Sequence, residues 1–521
     1  MALETLAGEE SIKESIERFL VVLSVSLSVA TLPRVFSWVR EIPYTLLLVI
    51  VGLGLAFVDV RLVNLSPELI LLIFLPPLLF EAAWNLHWKD LKQNLVPVSL
   101  YAILGVAISV LGIAWALSTF TLLPLSAALL LGASLSATDP ISVIALFREL
   151  GVSQRLSVVM EGESLFNDGV AVVSFTLLVG LALGAEQFEV QQAIAEFGAF
   201  VGIGIGVGSL IGFGISYLTQ RFDLPFVEQS LTLVSAYGTY LVAEELGGSG
   251  VIAVVIVGVI LGNFGSRIGM NPRTRAIVSE FWDFLAFFVN SIVFLLIGDQ
   301  IQFADLADNL TPIAIAVAAM LITRAIAIYG LGALSNWLAG SEIGLPQQTV
   351  LWWGGLRGSV SIALALSVPI MLEARDEIIA TVFGVVLFTL LVQGLTVKPL
   401  LFFLNLLGEQ KSEGQYLEAI ARRQALLRVL DYLQKTGDRP EIAPEFYQSQ
   451  TNFIQEQLQS LDKEIEALRS DQPRLQNFVR ERFQQELQNI EANTYAELLR
   501  AGRLNQALSP LLQELPEESK G

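Results

Sequence analysis

The sequence predicts an all-α polytopic membrane protein with a cytoplasmic helical tail, and three observations carry that reading. Composition is the first: of 521 residues, 54% are hydrophobic and only 16% charged, with a mean hydropathy of +0.63. Those values lie outside the range of soluble globular domains. Second, apolar runs long enough to cross roughly 30 Å of hydrocarbon, about 20 residues of helix, recur from the N-terminal region to residue 404. Third, the runs stop at about Asn405, and Gln, Glu, Arg and Leu dominate from there to Gly521.

Met1 to Glu17 carries five Glu and one Lys. A cleavable signal would open with positive charge and finish in small residues, so the first apolar run is expected to be a retained span. The runs fall near 16–32, 43–59, 68–84, 95–118, 125–147, 157–183, 194–218, 229–245, 250–264, 280–301, 311–337, 348–370 and 377–404, thirteen in all. Taking alternate connections, Arg34, Arg40, Lys89, Lys92, Arg148, Arg155, Arg221, Arg267, Arg273 and Arg275 fall on one side, against Arg61 and Arg375 on the other. The positive-inside rule then puts the N-terminus outside and the C-terminus in the cytoplasm. The expected organisation is a transmembrane domain over 1–404 and a cytoplasmic helical domain over 405–521. In the tail, Phe453 to Leu468 places apolar residues at helical spacing. Pro440, Pro444, Pro473 and Pro510 punctuate about four amphipathic helices, read as a bundle or dimer-assisting tail.

The same composition excludes several classes of function. Without Cys there is no disulfide framework and no thiolate site, and the single His87 removes the usual zinc and acid–base sets. A net charge of −19 argues against a nucleic-acid surface. No nucleotide fingerprint and no nucleophile paired with a base is present, so no enzymatic activity and no cofactor are expected.

Two runs look broken. The fifth contains Ser134-Leu-Ser-Ala-Thr-Asp-Pro140, where Pro140 lacks a backbone N–H and disfavours helical geometry at Asp139. The twelfth contains Trp353-Gly-Gly-Leu-Arg-Gly-Ser359, whose glycines destabilise helix. Asp139 falls about 21 Å into its run and Arg357 about 14 Å into its own, both near mid-membrane at 1.5 Å per residue. Seven runs apart, they point in opposite directions, as two inverted six-helix repeats around a linker helix require. Paired broken helices at mid-membrane are how secondary transporters expose backbone groups to ions.

The sixth run holds Glu161-Gly-Glu-Ser-Leu-Phe-Asn-Asp168, carboxylates where a bilayer charges several kcal/mol for each. Ser164 and Asp168 share one helical face and can together offer oxygens to a cation; Glu163 and Asn167 share the next, rotated by about 100°. Asn167 suits unwound backbone, and Glu163 suits a protein cation. Two intramembrane cations are available, Arg324 and Arg357. Pairing Glu163 with Arg357 leaves Asp168 and Asp139 free, and Arg324 then holds carbonyls at the breaks. Glu81, at the hydrocarbon boundary, either joins the ion path or faces cytoplasmic water. Glu161 reads as an entrance charge, His87 as interfacial packing, and the Gly202, Gly204, Gly206, Gly208 run as a place where helices approach closely.

Taken together, Ala137-Thr-Asp-Pro140, Glu163-Ser-Leu-Phe-Asn-Asp168 and Gly354-Gly-Leu-Arg-Gly358, with Pro76-Pro-Leu-Leu-Phe-Glu81 and Thr323-Arg-Ala325, resemble the sodium/proton antiporters of the NhaP and eukaryotic sodium/proton exchanger type. The resemblance covers about 1–405. It implies a dimeric inner-membrane exchanger with crossed broken helices and Asp168 as the main ion- and proton-binding carboxylate. Thr138, Asp139 and Ser164 would complete the site, with Asn167 as buttress and Glu163 bound to Arg357. Asn at 167, rather than a second Asp, resembles the branch associated with electroneutral one-for-one exchange. Na⁺, Li⁺ or K⁺ and H⁺ are then the transported partners. K⁺ or mixed-cation exchange on the same scaffold is the alternative within transporters, and a gated cation channel the alternative outside them.

Overall fold

The computed structural model describes residues 2–36, 42–58, 62, 65–184, 190–220, 224–406, 409–436 and 444–471, and beyond these only 487, 490, 491, 494 and 495. Among the described residues every regular element is helical. Hydrocarbon offers no hydrogen-bond partners, so a lipid-embedded segment must satisfy its backbone internally, which a helix does. Helix covers the described part of every apolar run read from the sequence, and two of the runs are interrupted.

The chain forms two compact units, Met1–Phe147 with Gln154–Asn405, and Arg148–Ser153 with Leu406–Gly521. In the first, α1 (Ala2–Val35), α2 (Tyr44–Phe57), α3 (Leu69–Asn85) and α4 (Leu95–Phe120) precede the first interrupted run. Its halves are α5 (Leu125–Ser134) and α6 (Ile141–Leu150). Then come α7 (Gln154–Ala182), α8 (Val190–Thr219), α9 (Pro225–Glu245), α10 (Gly250–Ile260), α11 (Pro272–Asp299) and α12 (Leu310–Ala339). The second interrupted run gives α13 (Leu345–Trp353) and α14 (Ser359–Leu366), and α15 (Arg375–Phe403) closes the unit. By length and composition six of the described helices can cross a membrane: α4, α7, α8, α11, α12 and α15.

The interruptions follow from local chemistry. Helix α5 stops at Ser134, where the hydroxyls of Ser134 and Ser136 donate to the Leu130 and Ala133 carbonyls. Non-helical chain runs from Ala137 to Pro140, and the Asp139 carboxylate accepts from the Ile141 N–H to start α6. In the second break the chain is unwound from Gly354 to Gly358.

Packing elsewhere relies on close backbone approach. A Cβ on Gly52 of α2 would lie 2.2 Å from the Leu295 carbonyl oxygen, and one on Gly298 of α11 would lie 2.3 Å from that of Val49. The two helices therefore meet through reciprocal glycines, where a methyl cannot fit. In the α8 glycine run only alternate members do this: Gly204 and Gly208 lie against the Ser249 and Ala253 carbonyls, whereas Gly202 and Gly206 face open space.

In the second unit α16 (Glu409–Thr436) and α17 (Pro444–Asp471) pack together, burying Tyr416, Ala419, Ile454 and Leu458. Arg423 pairs with Asp462 at 2.6 Å, and the Tyr447 hydroxyl donates to the Leu433 carbonyl. Pro444 occupies the first position of α17, where its missing N–H costs nothing. The expected helices around Pro473 and Pro510, and Pro440 itself, lie outside the described residues.

Candidate ion site

The two breaks meet each other. The Asp139 N–H donates to the Leu356 carbonyl at 2.8 Å, joining the unwound chains directly. Arg357 reaches across, its Nη1 donating to the Ser136 and Ala137 carbonyls, both at 2.8 Å. Its backbone N–H donates to Thr389 Oγ1 at 3.0 Å, and its Nε to the Met320 sulfur at 3.4 Å. Gly358 sits so near Asp139 that a Cβ would fall 2.2 Å from Oδ2. The third glycine of the break is therefore a steric requirement as well as a helix breaker.

Helix α7 lies against this crossing. Glu163, Ser164, Asn167 and Asp168 are all buried, the last 8% exposed. Asn167 clamps Thr138 twice: its Oδ1 accepts from the Thr138 N–H at 3.2 Å, and its Nδ2 donates to Thr138 Oγ1 at 2.6 Å. Ser164 donates its hydroxyl to the Thr138 carbonyl at 2.5 Å and keeps its lone pairs. One turn away, Asp168 Oδ1 is buried without a hydrogen-bond partner. Its strongest charged neighbours are Asp139, repulsive, and Arg357, attractive. A buried carboxylate oxygen left unpaired costs free energy that a proton or a cation would recover.

The structure corrects the expected ion pair. Glu163 binds Arg324, Nη1 to Oε1 at 2.9 Å, and not Arg357. Arg324 also donates to the Leu351 carbonyl at 2.8 Å and the Trp352 carbonyl at 3.1 Å, in the last turn of α13. It thus combines charge neutralisation with holding a helix end. A Cβ on Gly355 would lie 2.1 Å from Arg324 Nε, which accounts for that glycine. The reason for the exchange of partners is helical rotation. Five residues separate Glu163 from Asp168, about 140° around α7, so Glu163 faces α4 and α12 while Asp168 faces the crossing. Arg357, inside the crossing, binds the carbonyls of the opposite break instead.

Glu81 Oε1 accepts from Asn85 Nδ2 at 2.6 Å, and Asn85 also donates to Asp283 of α11 at 3.3 Å. Met320, Thr389 and Ser361, the last 3.4 Å from the Ala137 carbonyl, were not anticipated. Each is an ordinary residue in an apolar helix, and only the crossing of the breaks brings it against the residues of a break. Thr389 opens a wide-turn π segment, Thr389–Gln393, which carries no sequence signature.

Residues 23–403 match the model of the transmembrane sodium/hydrogen exchanger family. The chain is 63% identical over 516 residues to the Na⁺/H⁺ antiporter ApNhaP of Aphanothece halophytica, covering 99% of both chains. It is 57% identical over 522 residues to the low-affinity Na⁺/H⁺ antiporter NhaS1 of Synechocystis sp., again covering 99% of both. Among solved structures the sodium proton antiporter MjNhaP1 of Methanocaldococcus jannaschii shares the fold, with a TM-score of 0.62 at 20% identity, over 75% of this chain and 99% of that one. The protein is a multi-pass membrane protein built on the fold of that transporter. It belongs to the sodium/hydrogen exchanger family.

Proposed function

We propose that this chain exchanges Na⁺ for H⁺ across the membrane, with both ions competing for Asp168. The observation that carries the reading is the buried, unpartnered Asp168 Oδ1 beside two unwound peptides. The named activity of relatives identical at 63% and 57% over nearly the whole chain supports it. Thr138 and Ser164 supply neutral oxygens beside Asp168, and Asp139 adds a second carboxylate. Asn167 keeps Thr138 in register, and Glu163, Arg324 and Arg357 hold the breaks.

Burial opposes an empty charged carboxylate, and a proton or a cation relieves it, so loading with one displaces the other. Competition couples the fluxes. The empty, charged site is too costly to carry across a low-dielectric barrier, so only loaded protein switches orientation. With one exchangeable charge on Asp168, one H⁺ replaces one Na⁺ and no net charge moves. The membrane arrangement proposed with it is thirteen spans as two inverted six-helix repeats, a dimer in the inner membrane, and a cytoplasmic C-terminal domain.

The test is ion-driven proton movement in proteoliposomes. An outward Na⁺ gradient should acidify the lumen against the proton gradient, unchanged when valinomycin and K⁺ clamp the membrane potential. Titration with Na⁺, Li⁺ and K⁺ separates Na⁺ exchange from K⁺ exchange. Dissipative flux that never drives protons uphill would mean a channel and would sink the proposal.

A further inference from the structure

Between α4, α7, α12 and the first break lies a small pocket with room for about one water molecule. Tyr101, Gly105 and Ser109 of α4, Ser136 of the break, Glu163 of α7 and Arg324 of α12 line it. Two buried polar atoms of these residues have no hydrogen-bond partner, the Tyr101 hydroxyl and Glu163 Oε2, in residues each 2% exposed. The charges acting on that hydroxyl are those of Glu163 and Arg324. A buried tyrosine hydroxyl normally finds a partner, and phenylalanine would fill the same volume at lower cost without one. Tyr101 and Gly105 also sit on a wide-turn π segment, Leu100–Gly105, a distortion frequent at functional places in helices.

We infer that this chamber is a water-binding site in which ordered water joins the Tyr101 hydroxyl to Glu163 Oε2. Buried water occupies polar cavities that offer two to four partners. Here the hydroxyl and the carboxylate oxygen are two, and the Ser109 and Ser136 hydroxyls complete the set. Tyr101 is then a positioning residue. It fixes the second oxygen of Glu163 while Arg324 holds the first, and Arg324 in turn holds the Leu351 and Trp352 carbonyls at the end of α13. The network therefore sets the second break from behind, without touching the ion.

The site is read directly by cryo-electron microscopy of the full chain in nanodiscs, at a resolution that shows waters. That measurement is independent of which ion is exchanged. Density within hydrogen-bond reach of both Tyr101 Oη and Glu163 Oε2 is expected. A dry chamber, or a Tyr101 hydroxyl bonded directly to protein, would overturn the inference. The functional arm is Tyr101→Phe, measured as turnover per folded, reconstituted molecule. Turnover should fall by about threefold or more, the effect of one hydrogen bond, with half-saturating Na⁺ unchanged and the water density lost. Unaltered turnover, or a change confined to half-saturating Na⁺, would remove Tyr101 from the positioning network.

Discussion

Glu163 and Arg324 form a buried ion pair at 2.9 Å, with side chains 3% and 8% exposed. Arg357, the cation at the centre of the breaks, is bound to carbonyls and makes no such pair among the described residues. Division of labour between the two arginines is the main structural feature behind the ion site. Arg324 joins α7 to the end of α13, and Arg357 joins the two breaks.

Removing one partner of a buried pair strands the other charge, at a cost of about 3–5 kcal/mol. Glu163→Gln and Arg324→Gln should therefore each lower the thermal midpoint of the detergent-solubilised protein, followed by tryptophan fluorescence. The double variant should lose less than the sum of the two. Coupling of equal size in a parallel cycle of Glu163→Gln with Arg357→Gln would refute the assigned pairing.

Gly355 and Gly358 are places where a methyl meets Arg324 and Asp139 at 2.1 and 2.2 Å. Gly355→Ala and Gly358→Ala should each depress exchange strongly, Gly358→Ala also raising half-saturating Na⁺ by displacing Asp139. Gly206→Ala, built into open space, is the control and should leave both activity and thermal midpoint near those of the parent. Equal tolerance at all three positions would contradict the close crossing.

Asn167 makes two hydrogen bonds to Thr138. Asn167→Ala leaves a buried N–H and hydroxyl unsatisfied, worth about 1–3 kcal/mol each, and loosens the Thr138 backbone. Half-saturating Na⁺ in the proteoliposome assay should rise about tenfold or more. A variant with parental affinity would make Asn167 dispensable.

Competition for one carboxylate has a definite pH signature. Where the site is mostly protonated, half-saturating Na⁺ should rise about tenfold for each unit that pH falls, and where it is mostly deprotonated it should become independent of pH. The sign follows because protons displace Na⁺. A pH-independent half-saturation throughout, with only the maximal rate changing, would place the proton elsewhere.

Much of this was legible in the sequence because membranes penalise polarity so heavily. Asp168, Ser164, Asn167 and Glu163 stand out in an apolar run, and Pro140 and Gly354 to Gly358 mark their breaks by backbone chemistry alone. Partner choice was not legible. Arg324 and Arg357 both lie deep in apolar runs, and only the rotation of α7 and the crossing of the breaks decide which one meets Glu163. The roles of Met320, Thr389 and Tyr101 escaped for the same reason: their polar atoms become informative only when a distant segment is brought beside them.

The central claim is that the Asp168 carboxylate is where proton and cation compete. It is tested most directly by Asp168→Asn in proteoliposomes, where the amide keeps the shape and removes the charge. The account predicts a variant that reaches the membrane with near-parental thermal stability and shows no Na⁺-driven proton movement at any pH. Robust uphill proton movement by that variant would contradict it.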